Sequence, residues 1–246
     1  MDYGQEVKEY TFGELVSKSW SIYQNKFTSI LTITLLIYVP INIILYFVDN
    51  LTKNMNNFNI YVKTANLLET FIGIIATMGI ALIVDSAINN NELSWSNALK
   101  RALSRWGSCF GTKFLAGLIL IGLFILLIVP GIIWTLYYTF IVQVVVLKKI
   151  GGKEALDYSK SLVKGRWWKI FGIHCLYIII ILILSFSLGF IDILFIEAFS
   201  IFTNTIIDIA SAFFTVTITV LFLNLDRIKE SQDKNNVFEI DSISDL

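Results

Sequence analysis

Long stretches without a charged residue dominate this sequence. Phe27 to Val48 and Ile170 to Ile191 each hold 22 uncharged residues in a row, and Phe114 to Leu147 holds 34. A helix that crosses a hydrocarbon core of about 30 Å needs about 20 mostly apolar residues. We therefore expect the first two stretches to be single membrane spans. Composition agrees, because 56% of the residues are hydrophobic and only 15% are charged, against roughly 45–50% and 25% in soluble domains.

The 34-residue stretch has Pro130-Gly131 at its centre, with 16 residues on either side. A Pro-Gly pair between apolar runs is typical of a turn, which predicts a helical hairpin. Each leg alone would reach only about 24 Å. Either Cys109 to Gly111 and the snorkelling side chains of Lys148 and Lys149 extend the legs, or the hairpin re-enters the membrane without crossing it.

Two further apolar stretches contain acids. Leu67 to Val84 includes Glu69 and stops before Asp85, and Phe199 to Leu225 includes Asp208. We expect Glu69 and Asp85 at the membrane interfaces and not as a carboxylate pair. The predicted fold is an all-α, polytopic membrane protein with six membrane helices in three hairpins. Its predicted spans are 27–48, 67–84, 112–129, 132–147, 170–191 and 199–225.

The lysines and arginines are distributed unevenly about these spans. Of 19, all but Lys53 and Lys63 lie in the intervals that six spans place on one side of the membrane. The positive-inside rule then predicts that both termini are cytoplasmic. No secretory signal is expected, because the first apolar run begins only at Phe27. Tracts rich in Ile, Asn and Lys suggest a bacterial chain, so we expect a multi-pass protein of the cytoplasmic (inner) membrane.

A polar unit recurs before the spans. Arg105-Trp106 with Phe110-Gly111 returns 61 positions later as Arg166-Trp167 with Phe171-Gly172, and a weaker copy precedes the first span. We expect an amphipathic interfacial helix to introduce each hairpin. The first lies within residues 1–26, where Thr11 and Glu14 have the spacing of a capping box. The residues predicted to contact lipid head groups are Lys100, Arg101, Arg105, Lys160, Lys164 and Arg166.

The region from Val129 onward also resembles a known family. Val129-Pro130-Gly131-Ile132, Glu154-Ala155-Leu156, Leu162 to Trp168 and Phe171-Gly172 are similar to the membrane region of bacterial glycerophosphodiester phosphodiesterases and to related YciC-like inner-membrane proteins. The strong match covers about one fifth of the chain. The resemblance implies a polytopic bacterial inner-membrane domain. It does not carry over the enzymatic activity, which that family places in a separate soluble barrel.

The sixth predicted span carries polar residues at spacings of four, four, three, four and four, which places them on one helix face. One interpretation is a hydrated path or ligand groove with Asp208 as a proton carrier or cation site. The other is that hydroxyl groups hold this helix to its neighbours, with Asp208 paired to a Tyr or Asn. The stripe comprises Ser200, Asn204, Asp208, Ser211, Thr215 and Thr219. Its candidate partners are Tyr38, Asn42 and Tyr46 on the first span and Thr135, Thr139 and Gln143 on the fourth.

Other classes of function find little support in the sequence. Cys109 and Cys175 have no metal-ligand spacing, and no hydrolase, metalloprotease or P-loop motif is present. We expect no catalytic residue, metal or cofactor, and no nucleic-acid partner. The expected partners are the bilayer with its anionic phospholipids and a membrane protein. The acidic stretch 226–246 is expected to be a disordered cytoplasmic tail.

These features predict a non-enzymatic integral membrane protein that supports transport or envelope maintenance. It would do so by binding lipid or peptide in its polar interior, or by docking on a partner. The alternative is a small proton-coupled transporter that uses Asp208.

Overall fold

A computed structural model describes residues 8–53, 58–194 and 199–244, and it confirms the all-α fold. Two five-residue π-helical turns, Glu69–Gly73 and Val144–Lys148, interrupt the α-helices. In chain order, the α-helices are α1 (Phe12–Asn25), α2 (Phe27–Lys53), α3 (Phe58–Leu68), α4 (Ile74–Ile88), α5 (Trp95–Leu126), α6 (Ile128–Tyr137), α7 (Ile141–Gln143), α8 (Gly152–Val163), α9 (Trp167–Leu194) and α10 (Phe199–Ser244).

Six helical segments of the described chain are long and apolar enough to cross a membrane, as predicted. All six are longer than the predicted spans. The second begins at Asn59 because α3, the first π-turn and α4 follow one another without a break. Both legs of the central hairpin are long enough to cross. The segments are Phe27–Thr52, Asn59–Ile88, Trp95–Leu126, Ile128–Lys148, Trp167–Gly189 and Phe199–Lys234.

Helix α1 begins with the predicted capping box. The Thr11 hydroxyl accepts from the Glu14 backbone N–H at 3.3 Å, and the Glu14 carboxylate accepts from the Thr11 N–H at 2.7 Å. These two bonds satisfy backbone donors that a helix start leaves without partners. The apolar face of α1, including the buried Leu15 and Ile22, packs against α10 and α2. Helix α1 is therefore fixed to the protein as well as amphipathic.

The middle unit differs from the prediction of a separate interfacial helix. Helix α5 runs without interruption from Trp95 to Leu126, so its polar start and its span are one helix. The buried face that begins at Ala98 and Ala102 continues into the membrane segment through Cys109 and Ala116. Small buried residues on this face allow close packing of α5 against α4 and other neighbouring helices.

The turn of the central hairpin lies earlier than predicted. Leu127 has extended backbone angles (φ −156°, ψ 131°), and α6 begins at Ile128, so Pro130-Gly131 lies in the first turn of a helix and does not form the turn. Proline is tolerated there because the first helical N–H groups have no acceptor within the helix. Gly131 allows close approach of the chain, since a Cβ at this position would lie 2.5 Å from the Phe124 ring.

The acidic stretch after Leu225 also differs from the prediction of disorder. Helix α10 continues as far as Ser244, which is the end of the described chain. Contacts with the neighbouring helices hold the first turns of this acidic stretch in place. Lys148 pairs with Asp226 and Glu230, and the Lys229 ammonium group donates to the Ser161 hydroxyl at 2.6 Å.

Helix α10 lies at the centre of the bundle and packs against α1, α2, α4, α8 and α9. Its buried residues from Val216 to Leu225 join the main core with α4. We call the end of the bundle that carries Lys18, Lys26, Lys148 and Lys169 the basic end. The polar stripe predicted on the sixth span therefore lies on a helix that packs against five others.

Candidate functional site

Asp208 lies on α10, about three turns from the start of that helix, and faces the bundle interior. The Asn42 amide of α2 donates to its carboxylate at 2.7 Å and also contacts the Thr205 hydroxyl at 3.3 Å. Asn42 is 5% exposed. The sequence suggested Asn42 as a partner of the stripe, and the structure confirms this contact. A buried amide can satisfy a carboxylate oxygen without supplying a positive charge.

A second carboxylate lines the same space. Glu69 and Asp208 both border a cavity of about 110 Å³, which we call the carboxylate cavity. The Tyr38 hydroxyl donates to Glu69 at 3.1 Å. Glu69 is itself exposed, so the cavity opens to the protein surface beside this carboxylate. The other lining residues are Tyr38, Thr77, Ile80, Tyr177, Ser211, Ala212, Phe214 and Thr215.

The structure places Glu69 deeper in the second span than the predicted bounds of 67–84 indicate. Glu69 is ten residues inside the second membrane segment, whereas Asp85 lies near the basic end of α4 and accepts from Asn89 at 2.9 Å. The described fold extends that segment back to Asn59, which moves Glu69 away from the end of the span.

The first π-turn helps to place Glu69. The turn spans Glu69 to Gly73, and its Phe71 carbonyl accepts from the Trp106 indole at 2.7 Å. A Cβ built on the buried Gly73 would lie 2.8 Å from the Glu69 carboxyl carbon. The carboxylate thus occupies the space that a side chain at position 73 would fill. π-turns of this kind are frequent at functional sites because they redirect a side chain.

Hydroxyl groups complete the polar wall of the carboxylate cavity. The Tyr177 hydroxyl of α9 donates to Ser211 at 3.1 Å, and its ring stacks on Phe214 with centroids 3.9 Å apart. Thr77 donates to its own helix at the Gly73 carbonyl. Four helical segments thus contribute polar groups to one small space within the membrane portion of the fold.

Neither carboxylate of the cavity has a basic partner. No ion pair joins Glu69 or Asp208 to a lysine or arginine anywhere in residues 8–53, 58–194 and 199–244. Lys113 on α5 exerts a compensating electrostatic effect on Glu69 without forming an ion pair with it. An ionised carboxylate within hydrocarbon costs several kcal/mol unless it is paired, hydrated or protonated. The cavity is therefore suited to a positively charged occupant or to a proton.

The predicted stripe divides into two parts. Asp208, Ser211 and Thr215 line the carboxylate cavity, while Thr219 lies nearer the basic end and accepts from the Gln143 amide at 3.3 Å. The Gln143 side-chain oxygen has no partner within the described chain. Ser200 and Asn204 lie outside the cavity lining. The stripe is continuous along the helix, but only its middle section joins the two carboxylates.

Of the six predicted partners of the stripe, Asn42 and Gln143 form hydrogen bonds with stripe residues, and Tyr38 donates to Glu69 in the same cavity. The other three make no such contact within the described residues. The Thr135 hydroxyl donates to the Gly131 carbonyl of its own helix at 2.8 Å. The Thr139 hydroxyl is buried and has no hydrogen bond within the described residues. The Tyr46 ring packs on Phe47. The helix that carries Thr135 ends at Tyr137, so its polar face does not stay aligned with that of α10.

The predicted head-group cations are engaged to different extents. The Arg105 guanidinium donates to the Lys149 carbonyl at 3.2 Å, Arg166 pairs with Glu9 at 2.6 Å, and Lys160 lies 4.2 Å from the centre of the Trp134 ring. These three therefore contact the protein itself. Within the described part of the chain, no such contact is made by the side chains of Lys100, Arg101 and Lys164.

Two ion-pair clusters hold the basic end together. Glu9 pairs with Arg166 at 2.6 Å and with Lys169 at 2.7 Å. Burial alone would raise the pKa of Glu9, but the hydrogen bonds from Lys169 and Arg166 outweigh it, so its pKa lies below the usual carboxyl value. The side chain of Glu9 thus stays ionised while it fixes the N-terminal segment to α9.

The second cluster joins the end of the central hairpin to α10. Lys148 lies 3.0 Å from Asp226 and also pairs with Glu230, and the Tyr158 hydroxyl donates to Asp226. Burial, and then the hydrogen bond with Asp226, raise the pKa of Tyr158 well above its ordinary value. Tyr158 therefore remains a hydrogen-bond donor to Asp226, which also accepts from Lys148.

The described residues contain no group of three or more His, Cys, Asp or Glu side chains that could hold a metal ion. No protein-family model, curated protein or solved structure matches this chain.

Proposed function

We propose that this chain is a non-enzymatic, multi-pass membrane protein that supports transport by binding a proton or a small monovalent cation between Glu69 and Asp208. The observation that carries the proposal is that two carboxylates from different helices line one cavity within the membrane segments. Intramembrane acids usually mark ion or proton pathways. This develops the alternative drawn from the sequence, in which Asp208 alone was the proton carrier.

The size of the cavity favours a small occupant. A water molecule takes a share of about 30 Å³ in the liquid, so about 110 Å³ accommodates a few waters or a hydrated ion. A peptide or a lipid needs far more space. The cavity dimensions thus argue against the binding of lipid or peptide in the polar interior, and against a carboxylate pair that cleaves a peptide.

We place the basic end in the cytoplasm of a bacterial cell, with both termini on that side. The charge asymmetry supports this orientation, because only Lys53 and Lys63 lie at or near the opposite ends of the spans. Asp208 is nine residues into α10, about 14 Å from its start. The carboxylate cavity would then lie in the outer half of the membrane. We also keep as a proposal that the chain is related to the membrane domains of bacterial glycerophosphodiester phosphodiesterases.

One observation favours a second candidate, in which the chain docks on a membrane-protein partner. Helix α10 extends 19 residues beyond Leu225. A helix of that length projecting from the basic end offers a surface for a partner. The two candidates differ in what they require, since docking does not depend on Asp208.

Proton flux in reconstituted vesicles tests the first candidate. Vesicles that contain a trapped pH dye and the purified protein receive an imposed membrane potential, with sodium present or absent. We expect the Asp208→Asn and Glu69→Gln variants to lose at least about tenfold of the flux that the unaltered protein supports. Asp85→Asn is the matched control, because Asp85 lies on α4 outside the carboxylate cavity.

A second measurement does not require turnover. A hydrophobic carbodiimide reacts with protonated carboxyl groups in apolar surroundings, and peptide mass spectrometry locates the adduct. We expect labelling of Glu69 or Asp208 that sodium or high pH suppresses. Flux and labelling that are the same in the unaltered protein and in both cavity variants would refute the proposed function and leave docking as the better candidate.

A further inference from the structure

A second polar cavity lies at the basic end, far from Glu69 and Asp208. Its volume is about 430 Å³, and it lies between the end of α1 and the connection from α4 to α5. This volume falls within the range of sites that hold small organic molecules. The polar residues that line it are Lys18, Ser21, Asn25, Lys26, Asn90, Asn91 and Glu92. We call it the lysine cavity.

The donors of the lysine cavity are not used within the protein. Neither Lys18 nor Lys26 forms an ion pair with a carboxylate in residues 8–53, 58–194 and 199–244. The side chains of Ser21, Asn25 and Asn91 likewise make no hydrogen bond within that part of the chain. Two ammonium groups and three amides, those of Asn25, Asn90 and Asn91, therefore line one cavity with N–H groups that have no acceptor among the described residues. By contrast, three of the head-group cations expected from the sequence are already held by the protein.

The position of the lysine cavity is that of the membrane interface. Trp20 and Phe27 flank the same α1–α2 corner and are 51% and 41% exposed. Exposed aromatic side chains at the end of a span are characteristic of the head-group region. Lys26 caps α1 immediately before the first span begins at Phe27. A ligand in this cavity would have its polar part level with the lipid phosphates.

We propose that the lysine cavity binds the phosphate of an anionic phospholipid head group. Lys18 and Lys26 supply charge-assisted hydrogen bonds to the phosphate oxygens, and the Asn25 and Asn91 amides donate to the oxygens that remain. Glu92, on the same wall, accepts from a head-group hydroxyl. This site is independent of the proposed transport function, because none of its residues lines the carboxylate cavity.

Native mass spectrometry of the detergent-solubilised protein, titrated with phosphatidylglycerol, tests this site. The test variant is Lys18→Gln with Lys26→Gln. The matched control is Lys153→Gln with Lys234→Gln, which removes the same charge from exposed lysines outside the cavity. We expect one phospholipid to bind tightly to the unaltered protein and to the control. Loss of both cavity lysines should weaken that binding at least about tenfold.

A second variant, Asn25→Asp, keeps the test decisive if the double lysine variant does not fold. It keeps the size of the side chain but places a negative charge against the phosphate, so it should also weaken binding. Competition with glycerol phosphate distinguishes the source of the ligand. Failure of the soluble phosphoester to displace the lipid supports a lipid site, and ready displacement assigns the site to a soluble phosphoester instead. Equal phospholipid affinity of the cavity and control variants would overturn the proposal.

Discussion

The carboxylate cavity and the basic end differ in whether their acidic side chains have a positively charged partner. At the basic end, Glu9, Asp226 and Glu230 each pair with a lysine or an arginine. The N–O distances of the Glu9 and Asp226 pairs are 2.6 to 3.0 Å. In the carboxylate cavity, Asn42 and Tyr38 donate to the acids but bring no charge. Paired acids are neutralised by the fold itself. The acids in the cavity still need a counter-charge, which is what a binding site for a proton or cation requires.

The largest effect that would separate the two regions is expected at Gly73. A valine there would place a side chain where the Glu69 carboxylate lies, since even a Cβ would be 2.8 Å from it. We expect Gly73→Val to reduce proton flux as strongly as Glu69→Gln, about tenfold or more, with little change in the amount of folded protein. Vesicle flux measures the loss. Gly117→Ala is the control, because nothing lies within 4 Å of a Cβ at that membrane position. Normal flux in Gly73→Val would mean that the position of the Glu69 carboxylate does not matter for transport.

Lys148 is the next most informative position. Lys148→Gln leaves Asp226, which is 10% exposed, beside Glu230 without a positive charge. We expect a cost of about 2 kcal/mol, below the 3–5 kcal/mol of a fully buried pair. Faster hydrogen exchange in residues 226–234 would report it. Adding Asp226→Asn should restore most of the protection. An unchanged exchange rate in Lys148→Gln would mean that the ion pair does not hold the end of α10.

The Glu9 cluster predicts a pH dependence of known sign. The pKa of Glu9 is lower in the folded protein than the ordinary value of 4.5. Its stabilisation is therefore complete above that value and is lost as the pH falls through the lower, folded-state pKa. We expect a contribution of about 1 kcal/mol, because the pair is partly exposed. Thermal unfolding should show a gap between the unaltered protein and Glu9→Gln at pH 7, and that gap should shrink as the pH falls below 4.5. A gap that persists at the lower pH would contradict this.

The smallest effect is expected at Thr219, in the part of the stripe outside the carboxylate cavity. Its contact with Gln143 is 3.3 Å long, and hydrogen bonds between membrane helices average about 0.6 kcal/mol. Thr219→Val should therefore change stability by no more than about that amount and leave the flux intact. Loss of flux in this variant would show that the transport path continues toward the basic end, and the comparison would need to include Gln143.

Labelling of single cysteines checks the orientation on which the comparison depends. In a protein without Cys109 and Cys175, Asn59→Cys should react with a membrane-impermeant reagent added outside the cell. Ser161→Cys, near the basic end, should react only after the cells are opened. Both positions are exposed or partly exposed in the fold. The reverse pattern would place the basic end outside.

Much of the fold was predictable because its signals are local. The lengths of the uncharged stretches predict six spans, and the Thr11 and Glu14 spacing predicts the start of α1. Asp208 was also predictable as an inward-facing acid, since a charge amid apolar residues has few other stable places. The errors concern helix ends. Pro130-Gly131 indicated a turn, yet the chain turns at Leu127, because a proline fits equally well in the first turn of a helix.

The sequence by itself determined that the chain crosses a membrane and which helix carries the polar stripe, because hydrophobic length and helical spacing are properties of neighbouring residues. Only the tertiary structure decided that Glu69 shares a cavity with Asp208, and that Lys18 and Lys26 face the Asn90–Glu92 connection. Glu69 and Asp208 are 139 positions apart, and a π-turn and a buried glycine set where the Glu69 carboxylate lies. Packing between distant helices brings such groups together, and no periodicity along the chain records it.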